Sequence, residues 1–428
     1  MNKPLFLLLL SAFFIPTASA QSTDHFIERI RVHGARRTGS RLIIAESRIK
    51  TGSSYSEKVL TEAVRRINRL PFVFNTDFSL EKGHEKGKYT LVIEVTETRA
   101  FRYGLSSTHF DNPDELGESN GDLILTGRWF PGTGGSLYLG WEEEQHWSND
   151  VEDGGNFAIG YSHHDLFRAG VFLDIRLSSS GATYNDDDDN DDWATHGSSQ
   201  SITLAVPVQQ NQRIRGIWKE FRSNKDPYFA YREVFSEDYL PNYFFRSSDV
   251  TSTTLAWVYD TRNDNVVSSA GRHGRIGYRR TEERERYRYI FPELPGNDGL
   301  GYETDQLFAD FRQYSEVDDN HSFSYGVHAT YVDSDGPYAS SINQIDIIPR
   351  SFETRRGGLD LGYTWDILGR SSNHRGKFRF ELLGSVDKME REGAHTGSFD
   401  IYRAGASLSY HKRRYTFRLS YNYYDVNE

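Results

Sequence analysis

The sequence predicts a mainly β protein, a transmembrane antiparallel β-barrel preceded by one small α+β domain. From Arg99 onward, apolar and polar residues alternate with the period of two that is typical of β-strands. The connections between these strands are alternately short and long, as in outer-membrane barrels. Only 37% of the residues are hydrophobic, whereas 14% are aromatic. The apolar surface is therefore concentrated in rings, which suits the aromatic girdles of such a barrel.

The N-terminus has the three-part pattern of a secretory signal peptide. A basic start is followed by an apolar run over residues 5–15 and by the small residues "ASA" that end at Ala20. We expect residues 1–20 to be removed. The chain has no Cys, which excludes disulfides and Cys-ligated metal sites. No later apolar run reaches the ~18 residues that a spanning helix needs, so strands must make any membrane crossing.

Residues 24–97 are predicted to form the small α+β domain. The segment "FIERIRVHG" predicts a first strand that ends at Gly34. Ser40 is a candidate cap for a short first helix, and a second helix with apolar residues at helical spacing follows Ser56. Pro71 ends this helix, and two further strands follow. The order of strand, helix, helix, strand and strand predicts a sheet with helices on one face.

Residues 98–428 are predicted to form the barrel. Leu255, Trp257 and Tyr259 are examples of one apolar strand face, which we expect to contact lipid, while Ala256 and its alternate neighbours face a wet interior. A soluble β-sandwich also alternates, but the rhythm of short and long loops favours a barrel. The barrel must be closed, because an open edge in hydrocarbon leaves backbone N–H and C=O groups unpaired.

The number of strands is the uncertain part of this prediction. The alternating segments mark about fifteen strands, whereas outer-membrane barrels usually have an even number. We therefore expect about 16 strands, or 14, or a barrel whose last strand is missing from this chain.

Composition and motifs argue against several other functions. The net charge of −11 speaks against a nucleic-acid partner. Part of this charge lies in "NDDDDNDD" at residues 185–192, a solvated loop tip that lacks the Gly and Glu of an EF-hand. His163 and His164 are neighbours on a strand and point to opposite faces, so they cannot bind one metal together. Without any catalytic or phosphate-binding motif, we expect no enzyme activity, no cofactor and no metal.

Several segments resemble one protein family. "VHGARRTGSRLI", "KTGSSYSEKVLTEAVRRINRLPFVFNTDFSLEKG" and "YTLVIEVTET" are similar to a single POTRA domain of the BamA/TamA-type outer-membrane assembly superfamily, the bacterial surface antigen family. "YDTRNDNVVSSAGRHGRIGY" resembles a turn motif of the family's barrel and supplies its Asp260, Arg262 and Gly271. Ser or Ala replaces the usual Pro of that motif. The resemblance extends over nearly the whole mature chain.

The resemblance also predicts a contact inside the barrel. In the family, a Val/Ile-Arg-Gly-Phe/Tyr motif of the sixth extracellular loop folds into the lumen and pairs with an acidic strand residue. The sixth long loop of this sequence offers only Arg356 and Gly357, and the flanking residues differ. In "KFRFELLGSV" the acidic candidate is Glu381. A lumenal pair of Arg356 and Glu381 is one hypothesis, and loop arginines solvated in a water-filled lumen are the other.

The family's function implies a role in insertion or translocation of proteins at the bacterial outer membrane, with the N-terminal domain in the periplasm. The implied partners are outer-membrane lipid, unfolded outer-membrane or secreted proteins as clients, and periplasmic accessory proteins. A client segment could add as a strand to the edge around Phe72, Phe74 and Phe78. Alternatively, these three rings pack on the helices of their own domain. The competing function is a passive porin-like barrel or a surface-exposed structural or binding barrel.

Overall fold

The computed structural model describes the N-terminal domain and the barrel strands. The described residues are 24–111, 119–146, 151–184, 193–209, 211–229, 243–263, 268–289, 300–335, 337–338, 348–349, 352–367, 377–393 and 397–427. The predicted signal peptide and the acidic run at residues 185–192 lie outside them. No helix in these described ranges is long and apolar enough to cross a membrane.

The N-terminal domain consists of a four-stranded sheet and two helices. Its elements are β1 (Asp24–His33), α1 (Ser40–Ser47), β2 (Ser53–Ser56), α2 (Glu57–Asn68), β3 (Val73–Lys82) and β4 (Lys88–Glu97). The strand order is β2-β1-β4-β3, with β1 and β4 parallel and the other pairs antiparallel. Ile27, Ile43, Leu60 and Ile67 are almost completely buried between helices and sheet. The predicted α+β order is therefore present, with the short polar β2 in addition.

The two helices begin differently. The Ser56 side chain accepts a hydrogen bond from the Val59 amide and so caps α2, which agrees with the sequence. Helix α1 begins at Ser40, and Gly39 with a φ of 82° occupies the cap position without a side-chain bond. The prediction that Ser40 caps α1 is therefore wrong by one residue, because Gly39 stands at the cap position with a positive φ that glycine adopts without steric cost.

Fifteen long strands form one closed barrel. They are β5 (Phe101–Asp111), β6 (Ser119–Gly132), β7 (Gly135–His146), β8 (Val151–Leu166), β9 (Val171–Tyr184), β10 (Trp193–Gln209), β11 (Gln212–Phe229), β12 (Tyr243–Asp260), β13 (Gly271–Tyr289), β14 (Leu300–Glu316), β15 (His321–Asp335), β18 (Phe352–Asp366), β19 (Lys377–Gly393), β20 (Gly397–His411) and β21 (Tyr415–Asn427). The short β16 (Pro337–Tyr338) and β17 (Ile348–Pro349) pair with each other outside the barrel.

The strand count is odd, as the alternating segments of the sequence indicate. All neighbouring barrel strands pair antiparallel except β21 and β5, which pair parallel and close the ring. An up-and-down barrel with an odd number of strands must contain one such pair, because its first and last strands run in the same direction. The expectation of about 16 or of 14 strands is thus replaced by fifteen in the described residues. That expectation followed the even strand number that is usual for outer-membrane barrels and not the number of alternating segments in the sequence.

The outside of the barrel is apolar and its inside is polar. Leu255 and Leu361 are 59% and 58% exposed on the outside, and many further large apolar side chains share this exposure. Inward-facing neighbours such as Ala256 and Thr254 are buried. The period of two along each strand therefore separates the two faces, as the sequence predicts.

Candidate functional site at the barrel seam and the domain junction

The parallel pair of β5 and β21, here called the seam, is the shortest strand pairing of the barrel. It contains nine residue pairs, from Tyr103 with Tyr415 to Asp111 with Tyr423. Every other barrel pairing in the described ranges has ten or more. Parallel pairing is also slightly less stable per residue than antiparallel pairing. Its length and its parallel direction both favour the seam as the strand pairing that opens first.

An open strand edge lies in the N-terminal domain. Strand β3 is the last strand of its sheet and pairs only with β4 among the described residues. The three predicted rings of this edge have different positions. Phe72 is 3% exposed and lies just before β3, and Phe78 packs on the domain core. Phe74 lies beneath the Lys377 ammonium group, 5.9 Å from the ring centroid. The rings thus hold the strand in place, and the backbone of β3 is the part available for pairing.

One cavity brings these two edges together. It has a volume of 490 Å³ and lies at the mouth of the barrel, beneath the N-terminal domain. Val73 and Phe74 at the start of β3 line one side, and Tyr103 and Thr416 of the seam line another. The Arg102 guanidinium donates a 2.7 Å hydrogen bond to the Thr416 hydroxyl across the seam. The start of β3 and part of the seam therefore face the same cavity.

Two arginines, Arg66 in α2 and Arg69 directly after it, anchor the domain to the barrel mouth. Arg66 is 1% exposed and donates to the Glu46 and Ser47 carbonyls and to Asn211 Oδ1 of a barrel turn. Burial lowers the pKa of Arg66 to about 10, so the group stays charged at neutral pH. Burial also lowers the pKa of Arg69, whose guanidinium lies 3.5 Å from the carboxylate of Asp260.

Phe130 of the barrel completes this junction. It lies at the end of β6, is 2% exposed and belongs to the core of the N-terminal domain. Its ring meets that of Phe72 edge to face, with 6.2 Å between the centroids. Strand alternation places Phe130 on the face opposite to the outward-facing Trp129. The sequence does not show, however, that the N-terminal domain covers Phe130. The domain and the barrel consequently share one small apolar core.

Arg66→Ala is expected to loosen the domain from the barrel mouth. The change leaves two buried carbonyls without donors and should cost about 3 kcal/mol at the junction. Hydrogen exchange of α2 in the detergent-solubilised protein measures this effect. Arg65→Ala removes the neighbouring, half-buried arginine and is the matched control. Equal exchange in the two variants would contradict an anchoring role for Arg66.

The predicted turn motif forms a compact charged corner between β12 and β13. Arg262 donates two side-chain hydrogen bonds to the Asp260 carboxylate, at 3.1 and 2.9 Å, and its amide donates a third at 3.0 Å. Gly271 has a φ of 104°, and a Cβ atom there would lie 2.7 Å from the carbonyl carbon of Thr261. Asp260 thus binds Arg262 of the turn and Arg69, which directly follows α2, and this links the turn to the domain.

Gly271→Ala should lower the unfolding free energy of the barrel by about 2 kcal/mol, because the new methyl group collides with backbone and φ is unfavourable for Ala. The change is measured as the urea concentration at which the barrel loses the gel mobility of its folded state. Gly216→Ala is the matched control, since a Cβ atom there meets nothing within 4 Å. A control as unstable as Gly271→Ala would contradict the steric explanation.

The structure places Arg356 in strand β18 rather than in a loop, and its partner is Asp387. The Arg356 Nη2 atom lies 2.5 Å from Asp387 Oδ2, and Gly357 follows it in the strand. Glu381, the predicted partner, instead accepts from the Ser407 hydroxyl at 3.0 Å and lies 3.5 Å from Arg418. Asp387 and Glu381 share one face of β19, so strand phase alone could not distinguish them.

Asp387 is the centre of an interior network. It is completely buried, and Arg403 Nη2 and His328 Nε2 lie 3.2 and 2.5 Å from its carboxylate oxygens. A Cβ atom at Gly358 would lie 2.8 Å from the carboxyl carbon, so this glycine leaves room for the carboxylate. Asp387 was not among the predicted residues, although it directly follows the segment that contains Glu381.

The two adjacent histidines are separated by the fold. His164 packs against the rings of Phe72 and Phe172, with centroids 5.6 and 4.8 Å away, and thereby joins the junction. His163 Nδ1 accepts a hydrogen bond from the Asp165 amide. No three His, Cys, Asp or Glu residues in the part of the chain described by the structure are arranged to hold a metal ion.

Comparison with known protein families agrees with the N-terminal part of this architecture. Residues 25–98 match the family described as POTRA, surface antigen variable number repeat. No curated protein matches the chain.

Solved structures give low similarity. BamA from Haemophilus ducreyi, lacking POTRA domains 1–3, is 14% identical to this chain with a TM-score of 0.44. The match covers 94% of this chain and 81% of the BamA chain. CdiB from Escherichia coli is 16% identical with a TM-score of 0.46, and the coverages are 90% and 70%. The siderophore receptor PiuA from Acinetobacter baumannii is 9% identical with a TM-score of 0.39, and the coverages are 93% and 71%. Such TM-scores carry no functional argument. The family match and the observed fold together identify a POTRA domain followed by a closed β-barrel.

Proposed function

We propose that this protein inserts or translocates proteins at the bacterial outer membrane, by guiding client strands from the β3 edge to the barrel seam. The observation that carries this proposal is the cavity that is lined both by the start of β3, an edge strand of its sheet, and by residues of the short parallel seam. In this proposal residues 24–97 act as the client-receiving domain and residues 98–428 as the membrane-embedded barrel.

The apolar exterior supports a position in the membrane. Large side chains such as Leu255, Leu361 and Phe323 are more than half exposed around the barrel, and in water this surface would associate. A lipid bilayer accommodates it, while strand pairing around the ring satisfies the backbone. The signal-peptide pattern then directs the chain to the periplasm, where the POTRA domain lies beneath the barrel mouth. Outer-membrane lipid is thus a partner, and periplasmic accessory proteins would bind the exposed face of the domain.

The proposed mechanism needs only main-chain chemistry. An unfolded client segment adds to β3 by backbone hydrogen bonds, which give affinity without strict sequence choice. It then meets the seam, where nine parallel pairs close the barrel. When this pairing opens, β5 and β21 each present an unpaired edge, and a client strand replaces the lost hydrogen bonds. The opening costs little net energy if client pairing follows directly.

A reconstituted assay tests the proposal. The mature protein in liposomes is mixed with an unfolded outer-membrane barrel diluted from urea, and client folding is followed by protease resistance. We expect faster client folding than in empty liposomes. Variants in which proline replaces Asp77 or Ser79 on β3 should slow this folding, because proline lacks the backbone donor. Proline at Ser53 in the opposite edge strand, β2, is the control. Client folding at the rate of empty liposomes would contradict the proposal.

A passive pore is the second candidate, and the polar barrel interior favours it. Arg102, Arg128 and Arg418 line the cavity at the mouth, so a pore would be basic there. A pore predicts anion-selective conductance in planar bilayers together with unchanged levels of other outer-membrane proteins after depletion. Client assembly predicts that depletion lowers the abundance of specific outer-membrane or secreted proteins.

A further inference from the structure

A second cavity lies in the barrel interior and has an unusual concentration of arginine. Its volume is 330 Å³, within the usual range of ligand sites of about 300–1,000 Å³. Four guanidinium groups line it, from Arg275 and Arg279 on β13, Arg356 on β18 and Arg403 on β20. The whole chain carries a net charge of −11, so this concentration of positive charge is local.

The carboxylates around this cavity do not neutralise it. Asp387 is shared between Arg356 and Arg403, at 2.5 and 3.2 Å. Asp310 pairs with Arg275. Arg279 has no carboxylate partner among the described residues, and its Nε donates a 3.2 Å hydrogen bond to the Thr254 hydroxyl. Among the described ion pairs, the four guanidinium groups therefore share two carboxylates, so positive charge exceeds negative charge around the cavity.

The arginines are also held in place before any ligand arrives. The Arg275 guanidinium stacks over the Phe308 ring, 5.2 Å from its centroid. The buried Asp387 fixes Arg356 and Arg403, and the Thr254 hydroxyl binds the Nε atom of Arg279, which also lines the cavity. Arginine forks bind phosphate oxygens two at a time, and ordering them in advance reduces the entropy cost of binding.

We propose that this cavity binds a small solute that carries two phosphate groups. The excess of positive charge suits such an anion, and four planar guanidinium groups can bind the oxygens of two phosphate groups. The site is independent of the client-assembly function and concerns a different part of the barrel. Acidic client segments could offer carboxylates to the same arginines, but separate carboxylates on a flexible chain match the compact group of forks less well.

Calorimetry of the folded mature protein in detergent, titrated with inorganic pyrophosphate, tests this proposal. We expect saturable binding that weakens with salt and that Arg279→Gln reduces about tenfold, the equivalent of one charge-assisted contact. Arg279→Lys should bind less tightly than the parent, because an ammonium group lacks the planar fork. Thr254→Val removes the orienting hydroxyl and should weaken binding without changing the charge.

Arg280→Gln is the matched control. Arg280 is the next residue of β13, points outward and pairs with Glu303 at 2.6 Å. Pyrophosphate should bind this variant as it binds the parent. Gel mobility before and after heating verifies that each variant has a folded barrel. Unchanged affinity in folded Arg279→Gln would overturn the proposal, as would binding of polyglutamate in preference to pyrophosphate.

Discussion

Joining the two strands of the seam by a disulfide is expected to stop client assembly. Ser107 and Leu419 are register partners across β5 and β21, and the native chain has no Cys that could compete. In the variant with Ser107→Cys and Leu419→Cys, oxidation should reduce client folding in liposomes to less than about one tenth of the reduced rate, because the seam can no longer open. Reduction with dithiothreitol should restore the rate.

A second disulfide at the same residue provides the control. Leu408 of β20 is the antiparallel register partner of Leu419. Oxidation of the variant with Leu408→Cys and Leu419→Cys locks the neighbouring pairing and leaves the seam free. This variant should assemble clients at a similar rate in both redox states. Equal client folding by the two oxidised variants would show that the seam does not open during assembly.

Removal of the Asp387 charge is expected to cause the largest loss of barrel stability. Asp387→Asn leaves Arg356, Arg403 and His328 around a neutral side chain in the barrel wall. Breaking a buried ion pair costs about 3–5 kcal/mol, and we expect about 3 kcal/mol because the arginines are partly exposed to the lumen. The urea concentration at which the folded barrel loses its gel mobility should fall accordingly.

Glu381→Gln distinguishes this network from interior charge in general. Glu381 lies on the same face of the same strand, and its carboxylate is 3.5 Å from Arg418, which is 44% exposed. Such partly solvated pairs contribute less than about 1 kcal/mol. The urea midpoint of Glu381→Gln should therefore stay near that of the parent. Similar losses in the two variants would contradict a special role for the buried Asp387.

Much of the fold follows from local sequence patterns. The period of two assigns Leu255 outward and Ala256 inward, and the cap at Ser56 marks the start of α2. The turn residues Asp260 and Arg262 pair because they are two apart on one face. These features depend on neighbours along the chain, which are visible in the sequence.

The site depends instead on contacts between distant segments. Strand phase places both Glu381 and Asp387 inside the barrel, but the register between β18 and β19 decides which one Arg356 meets. The contact of Phe72 with Phe130 likewise depends on how the POTRA domain docks. The parallel closure follows from the odd number of strands. The alternating segments of the sequence indicate this number, but the even number usual in the family led to a different expectation.

The entry of clients through the seam is tested most directly by photocrosslinking. A photoreactive amino acid at Ser107 on β5 is compared with one at Leu255 on β12, an outward-facing position near the opposite side of the ring. During client folding in liposomes, we predict crosslinks to the client from residue 107 and none from residue 255. Equal crosslinking from both positions, or crosslinking from residue 255 alone, would contradict the account.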